Sequence, residues 1–145
     1  MTFDWSNYLQ LARQLGQTQD EAAQRTAISR AYYAAFHAAD EILKVKDITL
    51  DSSRPPHERV WSIYVKSPNR QCIVIGNEGF RLRNARVDAD YKSDKTISPA
   101  LVARCLAEAQ RVMNSVPTYL PEHFAPHPAN PLRTLFRKLR KYMKL

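Results

Sequence analysis

Apolar residues recur along this chain at three- and four-residue steps, the spacing of one helix face, and not at the two-residue alternation of a strand. Trp5, Tyr8, Leu9, Ala12 and Leu15 mark a first helix over about residues 4–15, which Gly16 ends. Thr18 followed three residues later by Glu21 makes a capping box, and nothing breaks the helix behind it before about Lys46. This second helix is the expected spine of the domain. Ala27, Ala31, Ala34, Ala35 and Ala38 run along one side of it, with Tyr32, Tyr33 and Phe36 beside them, so neighbouring helices can approach closely.

"DITLDSSRPP" is turn chemistry before a shorter helix from His57 to about Val65, with Val60, Trp61, Tyr64 and Val65 facing inward. A further helical pattern covers about residues 70–90, although Gly76 and Gly79 weaken its middle by roughly 1 kcal/mol each. Ser98 and Pro99 form an N-cap and first-turn pair for a helix whose Val102, Cys105, Leu106, Ala109, Val112, Met113 and Val116 make a regular buried stripe. "VPTYLPEHFAPHPANP" holds five prolines in sixteen residues and reads as an extended linker. Behind it, Asn130 and Pro131 open a short amphipathic helix with Leu132, Leu135, Phe136, Leu139, Tyr142 and Met143 on one face. Its other face carries Arg133, Arg137, Lys138, Arg140, Lys141 and Lys144. The expected fold is all-α: an up-and-down bundle of four to five antiparallel helices over residues 1–116, a Pro-rich linker over 117–131 and a basic terminal helix over 132–145.

Composition narrows the class. A chain of 145 residues is one ordinary domain, and three glycines against nine prolines disfavour hairpin architecture. No apolar run is long enough to cross a bilayer, and "MTFDWSNYLQ" does not read as a secretory signal, so the cytoplasm is the expected compartment. Cys72 and Cys105 lack the paired spacing of a zinc or redox motif and are expected to be reduced and buried. Asp88, Asp90 and Asp94 lack the glycine turn and terminal glutamate of a calcium loop, and prolines keep His123 and His127 from sharing a metal. Neither metal nor cofactor is expected. The net charge of +8 is uneven, with six basic residues and one acid from Pro117 onward. For that tail, three readings stand: docking on the bundle or a second subunit, RNA phosphate contact through Arg137, Lys138, Arg140 and Lys141, or attraction to an anionic membrane surface.

"RNARVDADY", residues 83–91, is the densest polar stretch. Together with "SRAYYAAFHAADEIL" on the second helix, some fifty residues earlier, its "RVDADY" resembles the HEPN family of small helical proteins. The resemblance is to the branch with Ser-Arg-Ala-Tyr-Tyr-Ala-x-Phe-His on one helix and Arg-x-x-Ala-Asp-Tyr on a later one, and it spans roughly residues 4–116. It implies a helical bundle that usually dimerises and, in many members, a metal-independent RNA endonuclease of toxin–antitoxin or defence systems, often encoded beside a minimal nucleotidyltransferase. Active members carry an arginine, four to six arbitrary residues and a histidine. Histidine can move the protons when a ribose 2′-hydroxyl attacks its phosphate, and arginine stabilises the charge that accumulates.

Here the signature is broken. After Arg81, Arg83 or Arg86 no histidine falls in the window, and Asp88, Asp90 and Tyr91 stand there instead. An aspartate with a pKa of about 3.9 can accept a proton at neutral pH but hardly donate one, and a tyrosine near 10 has the converse problem. Arg30 and His37 match the spacing formally and would lie on one helix face about 10 Å apart, but on a helix read as scaffold. His57, near a helix start, reads as ordinary. "RVDADY" therefore has three readings: a clamp, through Arg86 with Asp90 or Arg30 with Asp90; an RNA or ligand contact with Arg81 and Arg83; or a rewired catalytic set of Arg86, Asp90 and Tyr91. The expected function is an RNA- or partner-binding protein with a degenerate nuclease signature, the alternative being a divergent endoribonuclease toxin.

Overall fold

The long helix begins where Asp20, in extended backbone, turns its carboxylate onto the Ala23 N–H at 3.0 Å. Asp20, and not Thr18, is thus its N-cap; the Thr18 hydroxyl instead donates back to the Leu15 carbonyl at 3.0 Å and closes the preceding helix. A computed structural model describes residues 2–48 and 53–121, and among these there are five helices and no strand. They are α1 (Ser6–Gly16), α2 (Glu21–Val45), α3 (Pro56–Val65), α4 (Arg70–Tyr91) and α5 (Pro99–Ser115).

The alanine row makes α2 the hub. Ala27, Ala31, Ala34, Ala35 and Ala39 are all fully buried, and α2 packs against α1, α4 and α5, while α3 lies mainly on α4. Gly16 closes α1 with ordinary helical backbone, and a Cβ there would press on Val102 of α5 at 3.1 Å. Of the α5 stripe, Val102, Cys105, Ala109, Val112 and Val116 are buried and Leu106 and Met113 partly so, and the Ser98 side chain caps the helix by accepting from the Leu101 N–H at 3.1 Å.

Gly76 and Gly79 do not interrupt α4, which runs unbroken for 22 residues. They seat α3 against it. A Cβ on Gly79 would fall 2.2 Å from the Trp61 indole, and one on Gly76 would fall 2.7 Å from the Val65 backbone nitrogen. Glycine's cost to an isolated helix is offset here by burying Trp61 completely.

After α5, residues 117–121 turn back over the bundle: the Tyr119 carbonyl meets the Cys72 thiol at 3.4 Å, and Pro121 is buried. The rest of the linker and the terminal helix expected over 132–145, with Arg137, Lys138, Arg140 and Lys141, lie outside the described residues. No helix among the described residues is long and apolar enough to cross a membrane.

Candidate functional site

The site is built where the end of α4 crosses α2, and one side chain sets that crossing. Arg25 of α2 donates from Nη1 to the carbonyls of Ala89 at 2.9 Å and Lys92 at 3.1 Å, and from Nη2 to Lys95 at 2.7 Å. The open carbonyls at a helix C-terminus carry partial negative charge, so a guanidinium there satisfies and attracts them at once. One turn further along α2, the Ser29 hydroxyl donates to Asp90 Oδ2 at 3.2 Å.

This docking carries Arg86 onto the α2 aromatics. Its guanidinium carbon lies 5.2 Å from the Tyr32 ring centroid, 5.5 Å from Tyr33 and 5.8 Å from Tyr91. Arg86 is only 6% exposed, yet among the described residues it donates no hydrogen bond. Its Nε is buried without a partner, and the nearest carboxylate oxygen, on Asp90, is 3.9 Å from Nη1. Aromatic faces attract a guanidinium's face; they do not satisfy N–H donors lying in its plane.

A histidine reaches the same place from α3. His57 Nδ1 is 2.8 Å from the Tyr32 hydroxyl, which also accepts from Trp61 Nε1 at 3.3 Å. The imidazole packs 4.6 Å from the Phe36 ring and 5.8 Å from Tyr33, half-exposed to solvent. Burial and then the charges of Arg86 and Arg83 hold its pKa below 6.5, so it is neutral at pH 7. Burial also pushes the Tyr32 hydroxyl up to about 12, which keeps it protonated.

The other candidates divide. Arg83 faces this cluster and pairs with Glu58 of α3 at 3.3 Å, with its Nε buried and unpartnered. Arg81 turns the other way, bonding Glu108 of α5 at 3.0 Å, so Arg81 and Arg83 belong to different surfaces. Arg30 does not pair with Asp90; its guanidinium sits 4.9 Å from Tyr8 and 5.3 Å from Tyr33. His37 stacks on Trp5 with centroids 3.6 Å apart, and Trp5 is tied by its indole N–H to Glu41 at 2.8 Å. Arg30 and His37 flank Tyr33 on α2, but the end of α4 that carries Asp90 is held by Ser29 and Arg25 instead. Tyr91 is 73% exposed beside the guanidinium.

Among the described residues no three His, Cys, Asp or Glu side chains are grouped to hold a metal ion. Both cysteines are buried thiols, and burial raises Cys105 to about 11. His57 is the residue that sequence reasoning passed over. Its one local signal was its place behind two prolines at a helix start, which says nothing of the helix it faces. Compared with known proteins, the chain matches no family model, and neither a curated protein nor a solved structure shows significant similarity to it.

Proposed function

We propose that this all-α chain is a HEPN-like RNA-binding protein of the toxin–antitoxin or defence type, working as a homodimer, with a minimal nucleotidyltransferase as its protein partner. The observation that carries the RNA-binding reading is Arg86: a guanidinium over three tyrosine rings whose terminal nitrogens make no hydrogen bond among the described residues, with an exposed ring, Tyr91, beside it. Arginine donors for phosphate and aromatic faces for bases are the two elements that single-stranded nucleic acid requires. The two motifs behind the resemblance also support it, since Ser29 bonds Asp90 and Arg86 lies over Tyr32 and Tyr33.

One observation favours the endoribonuclease alternative. His57 supplies from α3 the histidine that the sequence after Arg86 lacks. Both readings are tested by incubating the protein with total cellular RNA in EDTA and following cleavage and gel retention together. Retention without cleavage, lost in Arg86→Ala, is the expected result. Cleavage in chelator, lost in both Arg86→Ala and His57→Ala, would replace binding by catalysis, and neither cleavage nor retention would remove RNA from the proposal.

A further inference from the structure

We infer that His57, Arg83 and Arg86 form a site for a phosphodiester group, in which His57 acts as a fixed hydrogen-bond donor through Nε2 and not as a proton acceptor. The RNA-binding reading supplies the polymer; the donor assignment comes from hydrogen-bond bookkeeping alone.

Trp61 Nε1 can only donate, so the Tyr32 hydroxyl oxygen accepts from it. Tyr32 is fully buried, and among the described residues its own proton has one acceptor within reach, His57 Nδ1 at 2.8 Å. Were His57 to donate from Nδ1 instead, the Tyr32 proton would be stranded in the core. The relay therefore runs from Trp61 through Tyr32 to Nδ1, and a neutral imidazole whose Nδ1 accepts carries its proton on Nε2. Burial first, and then Arg86 and Arg83 from α4 and His37 from α2, disfavour the imidazolium, while Glu58 in its own turn is engaged by Arg83. With Nδ1 occupied and Nε2 protonated, His57 has no lone pair for a 2′-hydroxyl proton.

The charge balance selects the ligand class. Arg83 is matched by Glu58 and Arg86 faces Asp90 at 3.9 Å, while Arg30, over the Tyr33 ring it shares with Arg86, has no carboxylate partner among the described residues. Among Arg30, Arg83 and Arg86 the cations exceed the carboxylates facing them by one, which suits the single negative charge of a phosphodiester. The Arg86 terminal nitrogens, which donate no hydrogen bond among the described residues, Nη1 lying 3.9 Å from Asp90, match a phosphoryl oxygen's needs.

The test is an imidazole 15N spectrum of the full-length wild-type protein near neutral pH, titrated with the dinucleoside monophosphate UpU. The expected result is an Nε2–H tautomer for His57 whose resonances move on adding UpU. His57→Gln, whose amide N–H reaches the Nε2 position, should keep UpU affinity within about threefold, whereas His57→Ala should lose about tenfold, the worth of one charge-assisted hydrogen bond. An Nδ1–H tautomer, or UpU leaving the His57 signals in place, overturns the inference even if longer RNA is retained. Movement of those signals by UpU, in a protein that fails to retain cellular RNA, supports the phosphodiester site and discards the RNA-binding reading alone.

Discussion

Arg25 of α2 holds the end of α4 by the Ala89 carbonyl, 2.9 Å from its Nη1, and by two further carbonyls beyond it. The Arg30–Asp90 pair, one of the clamps that the sequence allowed, does not form, and a charge-to-backbone bond ties α2 to the end of α4 instead. Arg25 also pairs with Glu21 on its own helix at 3.0 Å, which pre-orients the guanidinium.

Replacing Arg25 with Ala should therefore cost about 2–3 kcal/mol, since several charge-assisted bonds to one helix end are lost together. Urea denaturation measures it. A loss below about 0.5 kcal/mol would mean that the α4 terminus is held by other contacts.

Gly79→Ala separates helix propensity from packing. On propensity the change gains about 1 kcal/mol in α4, but the new Cβ lies 2.2 Å from the Trp61 ring. The clash should win, giving a net loss of about 1–3 kcal/mol and an altered Trp61 fluorescence. A stabilised variant would show that α3 does not seat on α4 at this glycine.

Stability should also fall in mild acid. Burial is the first cause holding both His57 and His37 below 6.5. The unfolded chain then binds more protons than the folded one, so stability present above pH 6.5 is lost as pH falls through the lowered folded values. Urea midpoints measured between about pH 5 and 8 should rise with pH across that window, and His57→Gln combined with His37→Gln should flatten the rise. An unchanged slope in the double variant would place the acid sensitivity elsewhere.

How much of this was legible follows from how local each signal is. The alanine row of α2, the Ser98 cap and the α5 stripe are written in neighbouring residues, and the all-α fold follows from them. Gly76 and Gly79 looked like weakness because their partner, Trp61, lies on another helix. Thr18 and Asp20 are both good caps two residues apart, and spacing alone chose the wrong one. The motif residues Arg86, Asp90 and Tyr91 stood out by density, but Arg25 and His57 act across 64 and 25 residues of chain, and nothing beside them announces it.

Whether the cluster binds a ligand or only fastens the fold is decided most directly at Arg86. A buried guanidinium that makes no hydrogen bond among the described residues is a burden on the folded state, so an apolar side chain of similar length should be tolerated or preferred there. Urea denaturation of Arg86→Met, with RNA retention measured on the same preparation, is the test. Stability equal to wild type or up to about 2 kcal/mol higher, together with lost retention, is the predicted result. A loss of about 3 kcal/mol or more, with no retention by the wild type, would make Arg86 a clamp and contradict the ligand site.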